Sequence, residues 1–135
     1  MAINVTKGRG SKRGIGYCTI DVNGTEMDIN IGADFNESFF FHEQDIMVAF
    51  YKGNSSQNKS VGIVLDKNSN VLFEIPYPKE DWQNKHILPP KILNYLWSSP
   101  ISDGVKIIFG YSGGMDFWAD YGFSKRKYVA TGRAY

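Results

Sequence analysis

At 135 residues, with 42% hydrophobic and 21% charged residues, the chain has the size and balance of one globular domain able to bury roughly two-thirds of its unfolded surface. A single cysteine, Cys18, excludes an internal disulfide, and no window approaches the run of about eighteen apolar residues that a membrane-spanning helix needs. The net charge of +1 conceals a segregation: Lys7, Arg9, Lys12 and Arg13 precede the first acid, Asp21, and Lys125, Arg126, Lys127 and Arg133 follow the last, Asp120, while the stretch between holds all 14 Asp and Glu against seven Lys.

Charge separated in this way steers partners where an even mixture would cancel. The opening stretch, MAINVTKGRGSKRG, has no apolar run behind its cations, so the expected location is the cytoplasm and residues 1–13 read as a basic, flexible arm. Aromatic content of 15% exceeds what packing alone recruits and points to β-structure or a binding surface.

From Gly16 the chain alternates, with Cys18, Ile20 and Val22 on one face and Met27, Ile29 and Ile31 on the same face after Asn23-Gly24. Asn-Gly between alternating runs supplies the positive φ angles of a type I′ hairpin, which predicts strands over 15–22 and 26–32. The opposite face carries Thr19, Asp21, Thr25, Glu26, Asp28 and Asn30 and is acidic.

The segment 43–52 fits a short helix or a strand equally well, because Ile46, Met47, Phe50 and Tyr51 satisfy both spacings. GNSSQNKS after it reads as a polar, mobile loop. SVGIVLD and NVLFEIPYP, joined by Lys67 to Ser69, predict a second hairpin, placed centrally because both its faces are apolar and ended by Pro76 and Pro78.

In LPPKILNYLWSSP the apolar Ile92, Leu93, Leu96 and Trp97 stand at i, i+1, i+4 and i+5, which predicts a short helix near 90–98 packed through that stripe. A turn of helix is also conceivable at 79–84. VKIIFGY, MDFWADYGF and KRKYVATG supply closing strands. The expected fold is therefore α+β: a single domain over 1–135, a mostly antiparallel sheet of about six strands, and one or two short helices.

Catalytic signatures fail on inspection. Gly110 to Gly114 matches Gly-x-Ser-x-Gly, but both histidines, His42 and His86, precede Ser112, whereas the hydrolase order requires the His to follow. Cys18 alternates onto the apolar face, away from the base or cation that a reactive thiolate needs. One Cys and two distant His offer no close-spaced metal ligands, so no metal and no cofactor is expected. KGRGSKRG matches neither a dinucleotide loop nor a Walker loop.

What remains is recognition. The leading expectation is a non-enzymatic, inhibitor-type binding protein, such as an immunity protein, antitoxin or phage-encoded inhibitor. It would meet a basic protein through Asp21, Glu26 and Asp28 together with Asp116, Trp118 and Asp120, which share a face if MDFWADY is a strand. The alternative is a nucleic-acid or anionic-ligand binder that uses Lys7, Arg9, Lys12 and Arg13 with Lys125, Arg126, Lys127 and Arg133. A third reading is a sugar or small-molecule binder that stacks on Trp82 or Trp118, Trp97 being assigned to the core stripe. The closing strand YVATGRAY is also a candidate edge for homodimer pairing.

Overall fold

The computed structural model describes residues 3–78, 92–111 and 116–134. Among them there is no helix: twelve strands form three antiparallel sheets. The α+β expectation is thus corrected to an all-β fold. The chain resolves into two compact units, Met1–Lys52 with Gly62–Ile75, and Gly53–Val61 with Pro76–Tyr135.

In the first unit the Asn-Gly hairpin forms as its alternation predicts. Strand β3 (Tyr17–Val22) pairs with β4 (Thr25–Asn30) around a turn in which Asn23 and Gly24 both take positive φ, 52° and 81°. A two-residue strand, β2 (Arg9–Gly10), adds to the outer edge of β3. The basic segment is therefore strand in part, with β1 (Val5–Lys7) paired to β5 (Phe35–Phe41).

The five-stranded sheet runs in the order β1, β5, β6 (Ile46–Tyr51), β7 (Ser60–Leu65) and β8 (Val71–Pro76). Segment 43–52 resolves as strand: β6 lies between β5 and β7 and is buried at five of its six positions, so apolar residues at every position mimicked a helical stripe. β8, expected to be central, is an edge strand and leaves Val71 and Leu72 exposed. Cys18, Ile20, Ile29 and Ile31 of the hairpin pack on Phe40, Met47, Ala49, Ile63 and Leu65 of the larger sheet, two apolar faces closing one core.

In the second unit, β9 (Leu93–Ile101), β10 (Gly104–Tyr111), β11 (Phe117–Gly122) and β12 (Lys127–Arg133) form a four-stranded sheet with β12 and β9 at its edges. Its inner face carries Val105, Ile107, Phe109, Phe117, Ala119, Tyr121 and Tyr128, all buried. Phe109 stacks on Phe117 with centroids 5.4 Å apart, Tyr121 meets Tyr128 edge-on at 5.1 Å, and the Tyr128 hydroxyl donates to the Pro76 carbonyl.

The helix expected near 90–98 is contradicted from Leu93 onward, where the chain is strand β9; residues 90 and 91, and the weaker helical turn at 79–84, lie outside the described residues. The cause is a β-bulge. Trp97 pairs with Ile108 and Tyr95 with Phe109, so Leu96 is the extra residue and the two-residue period slips there. A slipped strand period places apolar residues at spacings that resemble helical ones. The polar loop after Gly53 is ordered by its own hydrogen bonds: Asn54 O accepts from the Gln57 and Asn58 amides, and Asn54 Oδ1 accepts from the Ser56 amide and hydroxyl.

Candidate functional site

The acidic hairpin face was the first candidate. Asp21 lies directly opposite Glu26, and Thr19 opposite Asp28. Like charges across a strand pair repel, and the fold answers with cations from the N-terminal segment. The Arg9 guanidinium donates to Glu26 Oε1; Lys7 Nζ reaches instead to Glu37 on β5, at 3.7 Å. The Thr19 hydroxyl donates to Asp28 Oδ1, and this bond, followed by Ser11 and the nearby Arg13 and Arg9, holds the Asp28 carboxyl below its usual range. Arg13 itself lies over the Tyr17 ring, 4.5 Å from its centroid. Asp21 Oδ1 accepts from the Gly24 amide and braces the turn. The result is a mixed-charge surface around a groove of about 290 Å³ lined by Arg9, Lys12, Thr19, Glu26 and Asp28, not an uncovered acidic face.

The second candidate is the outer face of the β9–β12 sheet. Cross-strand register sets one row as Trp97, Ile108, Trp118 and Gly132, and the next as Ser99, Lys106, Asp120 and Ala130. Asp116, Trp118 and Asp120 therefore do share a face, and β11 is an interior strand with Phe117, Ala119 and Tyr121 turned inward. The Trp118 indole lies over Gly132, where a Cβ would come within 2.7 Å of the ring. Lys106 Nζ stands 3.8 Å from the centroid of the same ring and 2.9 Å from Asp120 Oδ1. Lys106 thereby supplies the compensating charge for the buried Asp120 Oδ1. Cation–π contacts at such sites are typically worth about 0.5–1 kcal/mol and cross-strand ion pairs about 0.2–1 kcal/mol.

The bulge sets what this face presents. It turns Leu96 and Trp97 outward consecutively, 45% and 50% exposed, instead of sending one of them into the core. Gly110 keeps the floor low beside them, for a Cβ there would press on Leu96 Cδ1 at 3.3 Å and on Asp116 Oδ1 at 3.1 Å. Sequence reasoning placed Trp97 in the core stripe and so missed it. The legible signal was the pair of strand glycines, Gly110 and Gly132, which mark close approach on an open sheet face. The free edge of β9 is partly closed, since Ser55 exchanges hydrogen bonds with Leu93 and Asn54 bridges Asn94.

The remaining candidates are scattered. Cys18 is buried with its thiol 2.9 Å from the Ser38 hydroxyl, and burial pushes its pKa up. His42 is hydrogen-bonded to the Thr6 hydroxyl at 2.6 Å and packs edge-on against Phe40. Among the described residues no group of three His, Cys, Asp or Glu could hold a metal ion. Ser112, Trp82 and His86 lie outside the described residues. Lys125, Arg126 and Lys127 form the exposed tip of the β11–β12 hairpin, and Arg133 ends β12. No helix of the described residues is long and apolar enough to cross a membrane. No protein-family model, curated protein or solved structure matches the chain.

Proposed function

We propose that the protein is a non-enzymatic recognition protein of the inhibitor type, in the functional class of small immunity proteins, antitoxins and phage-encoded inhibitors, and that it docks another protein on the outer face of the β9–β12 sheet. The observation that carries this reading is the bulge that exposes Leu96 and Trp97 side by side above a floor of Ile108, Gly110 and the Lys106–Trp118–Asp120 cluster. A Trp with an adjacent aliphatic residue, ringed by polar groups, has the anatomy of an interface hot spot, where one truncation costs about 2 kcal/mol or more. Bulges re-aim side chains in this way at working surfaces. Because the Asn54–Ser55 loop, the bulge and Pro100 interrupt the β9 edge, recognition runs through side chains and not through strand addition. The hairpin acids Asp21, Glu26 and Asp28 take second place, because N-terminal cations already engage that surface.

The test is a pull-down from the source cell followed by affinity measurement with the recovered partner. Trp97→Ala should weaken binding by about 30-fold or more, on the order of 2 kcal/mol, while leaving thermal stability nearly unchanged. Charge reversal at Asp21 and Glu26 should have a smaller effect. A partner held equally well by Trp97→Ala would remove this face from consideration.

A further inference from the structure

We infer that the protein docking on the β9–β12 face presents acidic side chains around an apolar anchor. The inference rests on the docking reading above and names the partner's chemistry. Along the chain the ends are basic and the middle acidic, but the fold partitions charge differently. Met1–Lys52 with Gly62–Ile75 carries six Lys and Arg against nine Asp and Glu, net −3, whereas Gly53–Val61 with Pro76–Tyr135 carries nine against five, net +4. The docking face belongs to the positive unit.

Part of that charge is concentrated and held in place. Lys125, Arg126 and Lys127 are consecutive and exposed at the tip of the β11–β12 hairpin. The tip is braced by Asp103 in the neighbouring turn, whose carbonyl accepts from the Phe123 amide at 2.8 Å and whose carboxylate accepts from the Ser124 amide at 3.3 Å. Arg126 takes a φ of 51° within the turn.

Lys127 pairs with Gly122, and Gly122 with Gly104, whereas Trp97 pairs with Ile108. The four residue steps of β10 from Gly104 to Ile108 span about 13 Å at roughly 3.3 Å per residue. That exceeds the Debye length of about 8 Å at physiological salt but lies well inside the length of about 30 Å at 0.01 M, so the tip acts as a steering charge whose pull rises as salt falls. The face itself is of opposite character. Lys106 is matched by Asp120, and Asp116 adds a further carboxylate beside Gly110. A phosphate chain laid across the sheet would run over Asp116, whereas an acidic protein that seats its apolar anchor on Trp97 and directs its acids to the tip keeps them clear of it, so the acidic protein fits better than a nucleic acid.

The experiment uses the full chain and three probes: a peptide with a central Leu-Phe anchor flanked by glutamates, the same peptide flanked by lysines, and oligo-dT. Binding is read by tryptophan fluorescence and anisotropy at low and high salt. The glutamate peptide should bind about tenfold more tightly than the lysine peptide at low salt, with the difference collapsing at high salt. The triple variant Lys125→Glu, Arg126→Glu, Lys127→Glu should erase or invert the preference. Equal affinities, a lysine preference, no binding by either peptide, or oligo-dT bound more tightly than the glutamate peptide would each overturn the inference. Unchanged glutamate-peptide affinity in Trp97→Ala would instead count against the docking face itself, separately from the charge preference that the triple variant reports.

Discussion

Gly8 illustrates how single positions hold this fold. Its amide donates to the Ser38 carbonyl at 2.9 Å, and a Cβ on it would fall 2.2 Å from Ser38 Oγ and 2.4 Å from Cys18 Sγ. The basic segment can lie on the sheet only because this residue has no side chain. Gly8→Ala should therefore lower stability by about 1–3 kcal/mol in urea denaturation, as overpacking of a closed site does, and Cys18→Ala with Ser38→Ala in the same chain should recover part of the loss. A Gly8→Ala variant as stable as the parent would show that the segment does not pack there. Gly132 makes the corresponding accommodation for Trp118, and Gly132→Ala should shift tryptophan emission as the indole is lifted toward solvent. The inward direction of Cys18 was readable from alternation alone, because each neighbour in a strand reverses face. Trp97 was not readable, because one inserted residue reverses the alternation after it.

At the scale of elements, the β3–β4 hairpin and strand β9 behave oppositely. The hairpin follows from local chemistry: Gly24 at φ 81° is a conformation that side chains adopt only at a penalty, so Gly24→Ala should cost about 1 kcal/mol, measurable as a fall in the denaturation midpoint. No loss would mean that the turn tolerates another geometry. Strand β9 follows from its neighbours. Leu93 to Trp97 satisfy a helical spacing, yet β10 offers a partner edge of hydrogen-bonding groups, and pairing with it through one bulge prevails over the local pattern. The same override explains β6, where burial between β5 and β7 makes both faces apolar and erases the period-two signal.

For the whole molecule, two consequences follow from how charge and burial are distributed. The first concerns pH. Burial raises Tyr128 well above its ordinary value, with Tyr121 and Tyr77 adding to it, and burial raises Tyr77 and Tyr121 as well. Unfolded tyrosines ionise near their usual value of about 10, while these stay neutral in the fold. Stability should therefore be full below that value and decline as pH rises through the folded pKa values. Asp28 and Asp66 shift downward, Asp28 chiefly through Thr19 and Asp66 through the Asn70 amide, so their smaller contribution is present above the unfolded carboxylate value and lost as pH falls. Denaturation midpoints should form a plateau from about pH 6 to 9 and drop on the alkaline side; a midpoint unchanged at about pH 11 would contradict the buried tyrosine cluster. The second concerns legibility. Alternation and turn chemistry, which act between residues close in the chain, were enough to place the first hairpin, to set the inward face of β11 and to align Asp116, Trp118 and Asp120. Long-range pairing settled the rest: that no helix forms among the described residues, that the hairpin's acids meet Arg9 and Arg13, and that Trp97 stands on an open sheet face. Those outcomes depend on which edge each strand finds and where its register slips, and neither is encoded within one segment.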